Sequence, residues 1–171
     1  MRRTGRAPAF GLLLLVLSLA GCGYSFRGNL PDHIKTVAVP VFVNKTSEPA
    51  VESFLTSAVV DAYASNGRLR VVRTEEADAI LNGEVTGYNV MSIAYDNVAN
   101  VRQYRLVVTM NLRLRDVKNN SILFEQQGLK EQADFQVLGA VSQTISNEEA
   151  AVRTAANLVG RSIVSLTIDR F

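Results

Sequence analysis

Apolar and polar residues alternate with a period of two through the middle of the chain, which predicts long β-strands. The clearest case is residues 101–116, where one set of alternate positions is almost entirely apolar and the other is polar or cationic. Residues 79–95 show a similar pattern, with Leu81, Met91 and Ile93 among the apolar odd positions. Each strand should therefore have one dry face and one wet face.

Shorter apolar stretches predict three further strands, over residues 34–42, 68–73 and 121–133. The loops at 96–100 and 118–120 are rich in Asn and Asp and predict turns between the three later strands. Those strands should form an antiparallel meander. The first two strands flank a helix, an arrangement that favours a parallel pair joined by a right-handed crossover.

Two segments have the period of a helix. In residues 48–65, apolar positions recur at the spacing of one buried stripe, with Ser47 as the expected N-cap and Gly67 just beyond the end. After an irregular stretch, Ser146 and Glu149 predict a capping box at the start of the closing helix. The chain shows neither an internal repeat nor a second domain, so residues 34–171 should fold as one unit.

The N-terminal segment has the features of a secretion signal. Arg2, Arg3 and Arg6 precede an apolar run that ends in Leu-Ala-Gly-Cys at residues 19–22. These four residues resemble the lipobox of bacterial lipoproteins, in which the chain is cut before the cysteine and its thiol is acylated. Residues 1–21 should therefore be a signal peptide, Cys22 the lipidated N-terminus, and residues 22–33 a tether.

Other interpretations of this segment explain less. An ordinary signal peptide cut after Gly21 would leave Cys22 as a free thiol. A transmembrane helix would need about 20 apolar residues, and this run is roughly half as long.

Charge and composition then exclude several functional classes. The whole chain has 18 basic and 16 acidic residues, but the expected signal removes three of the basic ones, which leaves 15 against 16. No global basic field therefore points to nucleic acid. Cys22 is the only cysteine and His33 the only histidine, so neither a disulfide nor a zinc site is expected.

Motifs for catalysis are absent from the sequence as well. His33, the single histidine, lies in the predicted tether and forms no recognisable Ser-His-Asp set. The sequence also has no phosphate-binding or dinucleotide-binding loop motif. We expect no cofactor, no metal and no enzymatic activity. The sequence therefore indicates a binding or assembly module.

The remaining candidate chemistry is cationic and lies on the predicted strand 101–116. Arg105, Arg113 and Arg115 occupy alternate positions on its polar face. Arginine can hold a phosphate through two parallel hydrogen bonds, so these residues are candidate contacts to an anionic lipid. The alternative is a solvated strand whose cations prevent edge-to-edge aggregation.

Four segments together resemble one family. They are Gly-Cys-Gly-Tyr at 21–24, Leu-Pro-Asp-His-Ile-Lys-Thr-Val-Ala-Val-Pro-Val-Phe at 30–42, Glu-Ala-Asp-Ala-Ile-Leu-Asn-Gly-Glu-Val at 76–85, and Tyr-Arg-Leu-Val-Val-Thr-Met-Asn at 104–111. In order and spacing they resemble the lipopolysaccharide-assembly lipoprotein family LptE. The resemblance covers essentially all of the chain beyond the signal.

This resemblance implies an α/β (α+β) two-layer sandwich, in which a mixed sheet of about four to five strands has two helices packed on one face. It also implies an outer-membrane lipoprotein that plugs the LptD β-barrel translocon and assists lipopolysaccharide insertion into the outer leaflet. Gly23 is compatible with export to the outer membrane. In some members a basic residue at the hairpin tip is implicated in lipopolysaccharide binding. Residues 96–100 here contain no basic residue, so we do not transfer that role to this loop.

A second resemblance gives an alternative. Thr-Val-Ala-Val-Pro-Val-Phe at 36–42, followed by Asn44 and a helix, is similar to the opening of lipoproteins that form the curli-secretion pore or activate a peptidoglycan synthase. Such a protein would act as an oligomeric pore or as a synthase activator. The long meander over residues 79–133 favours the first family.

Overall fold

The structure, a computed structural model, describes residues 30–137 and 141–169. The expected signal peptide, Cys22 and most of the predicted tether lie outside the described residues. In chain order the elements are β1 (Thr36–Ala38), β2 (Val43–Asn44), α1 (Val51–Asn66), β3 (Arg70–Val71), a 3₁₀ turn (Thr74–Glu76), β4 (Ala79–Tyr95), β5 (Val101–Asp116), β6 (Ile122–Gln136), α2 (Val141–Val164) and a π-helical turn (Ser165–Asp169).

All strands belong to one mixed sheet with the order β3-β1-β4-β5-β6, and β2 pairs with β4 beside this path. β1 runs parallel to both β3 and β4, whereas β4, β5 and β6 form an antiparallel meander. The predicted two-layer α+β fold, its parallel pair and its meander are confirmed.

The sheet has six strands because the first predicted strand is interrupted. β1 ends at Ala38, and Pro40 in the connection to β2 has no N–H to donate to a ladder. Phe42 points into the core against Gly83, where an added Cβ would lie 2.6 Å from the ring. The close approach of this ring explains the glycine in β4. β2 then begins as a separate strand.

The core lies between the sheet and the two helices. The even positions of β5 form its floor, as their alternation predicts, and they are 0–2% exposed: Leu106, Val108, Met110, Leu112 and Leu114. Val59 and Tyr63 of α1 and Val159 and Ile163 of α2 are buried in the same cluster. One amphipathic strand and two amphipathic helices therefore share a single core.

The two helices approach each other closely at a small residue. A Cβ added to Gly160 of α2 would lie 2.6 Å from the backbone oxygen of Ala58 in α1. Near the far end of this contact, the Tyr63 hydroxyl lies 2.7 Å from Thr167 Oγ1 in the interior. Burial raises the pKa of Tyr63 to about 12, so this phenol stays neutral at physiological pH.

Both helices begin elsewhere than predicted. α1 starts at Val51 after Ala50, whose φ is +64°, and Ser47 provides no cap. Instead, Thr46 donates from its N–H and hydroxyl to the Asn44 side chain. This Asx turn uses the local polar side chains before the helix begins, and α1 itself has no side-chain cap.

α2 starts at Val141, within the stretch that was expected to be irregular, so the predicted capping box at Ser146 lies inside the helix. The Asn147 side chain there donates to the backbone oxygen of Gln136, at the end of β6. The apolar stripe of α2 is confirmed at Val152, Val159 and Ile163, which are all buried.

A β-bulge corrects the prediction for the second half of β4. Leu81 and Val85 are buried as expected, but the pairing shifts at Thr86, and the odd positions beyond it face the other side of the sheet. Met91, predicted to be dry, lies opposite Arg105 and is 46% exposed. One inserted residue therefore exchanges the two faces, because side chains alternate with a period of two.

The acidic stretch at residues 75–78 has a structural use that its composition did not show. Asp78 Oδ2 accepts hydrogen bonds from the backbone N–H groups of Lys35 and Thr36 and from the Thr36 hydroxyl, at 2.8–2.9 Å. The bond from Lys35 is the largest cause that lowers the pKa of Asp78, followed by the bond from Thr36. Asp78 thus holds the start of β1 against the start of β4.

Replacing Asp78 by alanine should lower the free energy of unfolding at pH 7 by about 1–2 kcal/mol, because two backbone donors lose a charged acceptor. The contribution should be complete well above the ordinary Asp pKa of about 3.9 and should disappear as the pH falls through the lower folded value. Urea unfolding of wild type and Asp78→Ala between pH 2 and 7 tests this.

The control is Glu75→Ala, since Glu75 is an exposed carboxylate of the same stretch. It should change stability by less than about 0.5 kcal/mol. A loss of equal size in both variants would contradict the role assigned to Asp78.

Candidate interaction surface

The surface that bears the predicted cations is the sheet face turned away from the helices, which we call the open face. The even positions of β5 pack against the helices, so its odd positions point to the open face. Arg105, Arg113 and Arg115 all lie there, as their parity predicts. Their role as contacts stays a prediction.

Arg105 is held by a carboxylate on the neighbouring strand. Its Nε and Nη2 donate to the two carboxylate oxygens of Asp134 at 2.7 and 2.8 Å, a bidentate pair across β5 and β6. The pair lowers the pKa of Asp134 and raises that of Arg105, chiefly through these hydrogen bonds. Arg105 is therefore oriented before any partner arrives.

The other two arginines also have acceptors on the open face. Arg113 donates to Glu125 at 2.8 Å, and this bond is the largest cause that lowers the pKa of Glu125. Arg115 donates to the Asn120 side chain at 2.9 Å. The open face therefore presents cations beside their acceptors and not a bare basic patch.

The three arginines do not converge on one site. Arg113 and Arg115 are two residues apart, but Arg105 is eight residues from Arg113, which is about 26 Å along an extended strand. A single phosphate cannot bridge that distance. The arrangement suits a partner that runs along the strand, with contacts at both ends.

A cleft opens beside Arg113 on the open face. It has a volume of about 460 Å³, and its lining includes the side chains of Asn82, Glu84, Asn111 and Gln127. These amides and carboxylates can both donate and accept hydrogen bonds. The cleft can therefore receive the backbone or polar side chains of a partner.

Pairing across β5 and β6 depends on a second bulge. Gly128, with φ +65°, adds a residue to β6 opposite Asn111, whose side chain accepts from the Gly128 N–H. If the register that pairs Arg113 with Glu125 continued unchanged along β5 and β6, Arg105 would lie opposite Ala133. The extra residue brings Asp134 opposite Arg105, and a count from the 118–120 turn misses this shift.

The tip of the β4–β5 hairpin does carry a cation, although its loop residues contain none. Arg102, the second residue of β5, lies 3.0 Å from Asp96 at the other side of the loop. Asp96 also accepts from the N–H groups of Val98 and Asn100. Arg102 lies outside the loop in the sequence, but the hairpin turn places it next to Asp96 at the tip.

Some predictions concern residues that the structure does not describe. Cys22, the lipobox and the tether up to residue 29 are among them, so lipidation stays a prediction. Within residues 30–137 and 141–169, no three His, Cys, Asp or Glu side chains are placed to hold a metal ion. None of the helices in that part of the chain is long and apolar enough to cross a membrane.

Comparison with known proteins identifies a family. The sequence model of the family LptE, described as lipopolysaccharide-assembly, matches residues 34–167. No curated protein sequence matches the chain.

The fold is similar to several solved structures. An uncharacterized lipoprotein B from Nitrosomonas europaea shares 19% identity over 85% of this chain and 92% of its own, with a TM-score of 0.50. A minor lipoprotein from Acinetobacter baumannii shares 16% over 82% and 96%, with a TM-score of 0.52. The PelC dodecamer from Paraburkholderia phytofirmans shares 16% over 82% and 93%, with a TM-score of 0.53. At these identities the likeness concerns the fold alone.

Removing the ion pair between Arg105 and Asp134 should leave the fold intact, because partly exposed pairs contribute little to stability. In the double variant Arg105→Gln with Asp134→Asn, the midpoint of thermal unfolding should shift by less than about 3 °C. Circular dichroism on heating measures this. A shift above about 10 °C would mean that the open face is part of the folding core.

Proposed function

The chain belongs to the LptE lipopolysaccharide-assembly family, and on that premise we propose that it is an outer-membrane lipoprotein that plugs an LptD-type β-barrel. In this role it assists the passage of lipopolysaccharide into the outer leaflet. The observation that carries the proposal is the family match over residues 34–167, joined to a lipobox at residues 19–22.

A plug requires a stable body with an exposed polar surface, and the fold is suited to that. Its apolar side chains are collected between the sheet and the helices. The open face, with Arg105 and Arg113 already oriented by carboxylates, is available for a partner. Function then depends on shape and surface, which fits a non-catalytic assembly protein.

The anchored end of the domain is set by contacts near residue 30. Asp116, at the end of β5, is 1% exposed and lies 2.9 Å from His33 Nε2. It also accepts from the N–H of Lys118 and from the Asn119 side chain. These bonds fix the last residue of the predicted tether to the turn between β5 and β6.

The hairpin tip points away from that end. β4 has 17 residues and so extends about 55 Å, with its tip remote from His33. Residues 22–29 can span at most about 28 Å. A lipid on Cys22 would hold the base of the domain near the inner leaflet, and the long hairpin would reach into the lumen of a barrel.

The open face is the proposed contact surface. Arg105, Arg113 and Arg115 lie along one strand at a spacing that suits an extended partner or several anionic groups, and we assign them contacts to the barrel wall or to lipopolysaccharide phosphates. Their intramolecular acceptors orient these arginines before a partner binds. Exchange of an intramolecular acceptor for an external one costs little reorganisation.

Replacing Cys22 by alanine should remove acylation and release the protein into the soluble periplasm. More than one acyl chain is needed for stable anchoring, at about 0.8 kcal/mol per buried CH₂, so loss of the thiol removes the anchor completely. Intact-protein mass and membrane fractionation measure the effect, with Ser25→Ala as the neighbouring control. Wild-type protein without an acyl adduct would refute the anchor.

Purification of the native protein from outer membranes should yield a one-to-one complex with a large β-barrel. Arg105→Glu combined with Arg113→Glu should weaken that complex, or its binding of lipopolysaccharide, at least about tenfold, because the charges on the contact surface are reversed. Mass spectrometry of the complex and titration of the purified components measure both effects.

The matched control is Arg73→Glu with Arg153→Glu. It makes the same charge change at two exposed arginines that also pair with carboxylates but lie outside the open face. Equal weakening in both double variants would refute the assignment of the open face. A homo-oligomeric ring, or a peptidoglycan synthase in place of a barrel, would refute the proposed function itself.

A further inference from the structure

We propose that the exposed edge of β4, residues 86–95, accepts an additional β-strand from the barrel partner. This inference rests on the proposed function and names the kind of contact within it. The edge is distinct from the open face, because it offers backbone donors and acceptors and not arginine side chains.

The edge is open because the other strands of the sheet stop short. On the side of β4 away from β5, β1 reaches only Ile80, and β2 reaches only Val85. The N–H of Lys45 donates to the backbone oxygen of Val85 at 2.9 Å. Among the residues that the structure describes, no strand pairs with this side of β4 beyond that bond. Half of its backbone groups there lack a ladder partner.

This edge is also unprotected by charge. No charged residue occurs between Glu84 and Asp96. Four large apolar side chains in this stretch are 36–60% exposed: Val90, Met91, Ile93 and Tyr95. A long, uncharged, apolar edge is a template for another strand, and proteins usually prevent such pairing.

The other edges of the same sheet show that protection. β6, which forms the far edge, carries Glu125, Lys130, Glu131 and Asp134. β3 has only two residues. Both are common ways of preventing strand addition. The edge of β4 beyond Val85 is neither charged nor short, so it can pair with another strand.

The chain's own tether cannot be the occupant. Residues 22–29 join the described chain at Leu30, six residues before β1, which runs parallel to β4 and pairs with Ala79. They span at most about 28 Å, whereas Val90, the first of the four apolar residues, is 11 residues beyond Ala79, or about 36 Å along the strand. The tether therefore falls short of the apolar part of the edge.

The edge is also too small to hold a second copy by itself. Its four apolar side chains expose roughly 400 Å², about half of what each partner buries in a standard interface. A barrel that surrounds the domain would supply the rest of the interface. The occupant should therefore be an extended, uncharged segment of the barrel chain that pairs by main-chain hydrogen bonds.

The test compares two residues in one row of the sheet. Asn89 on β4 and Gln132 on β6 both lie opposite Val107 of β5 and are both exposed, at opposite edges. A photo-crosslinking amino acid is placed at each position in the full-length lipoprotein, and the native complex is purified and irradiated. Asn89 should give a crosslink to the barrel at least about tenfold stronger than Gln132.

Strand addition itself is measured by amide hydrogen exchange. In the complex, alternate amides of residues 87–95 should exchange at least about tenfold more slowly than in the free protein, since a new ladder protects them. Asn89→Lys should remove this protection and weaken the complex about tenfold, because a lysine protects an edge. Gln132→Lys, at the matched position, should change neither.

The possible outcomes separate this inference from the proposed function. A barrel complex in which the amides of residues 87–95 exchange as fast as in the free protein overturns the inference and leaves the plug standing. A crosslink from Asn89 to a second copy of this chain overturns the choice of partner. A preparation without any barrel overturns both.

Discussion

The structure depends on the burial of one face of β5. Leu106, Met110 and Leu114 are completely buried there, and every neighbouring element is arranged around them. The two helices cover this face, and β4 and β6 flank it. Because side chains alternate along a strand, burial of the even positions forces the odd positions outward. The arginines of the open face are thus positioned by the packing of the residues between them.

Two of the β-bulges in the sheet then set which side chains of β4 and β6 lie beside this strand. The one at Thr86 turns the odd side chains of β4 from the core to the open face, and the one at Gly128 brings Asp134 opposite Arg105. The apolar core positions change parity across both, from Val85 to Tyr88 in β4 and from Phe124 to Leu129 in β6, but Met91 and Ile93 obscure the change in β4. A single inserted residue therefore decides whether an apolar side chain packs inside or remains exposed, and whether a cation finds a carboxylate.

The two proposed contact surfaces suit different kinds of recognition. The open face offers oriented ion pairs, which contribute little to folding and suit specificity and association rate. The free edge of β4 offers backbone groups and apolar side chains, which suit affinity in an extended contact. Their separation on one hairpin fits a protein that touches its partner on several sides. The close packing of Gly160 against Ala58 and the buried bond from Tyr63 to Thr167 keep the helical layer together, so that the hairpin has a firm base.

The sequence alone determined the meander, the two helices, the buried face of β5 and the family. Each of these follows from local periodicity or from short sequence motifs. It also placed Arg105, Arg113 and Arg115 on a common face by parity. It could not place the start of α1 at Val51 or the start of α2 at Val141, since tertiary contacts override capping residues such as Ser47 and Ser146. Which strand lies at an edge, which carboxylate meets Arg105 and what Asp78 holds were decided by the tertiary structure. These features depend on register between segments that are distant in the chain, and a one-residue shift changes all of them.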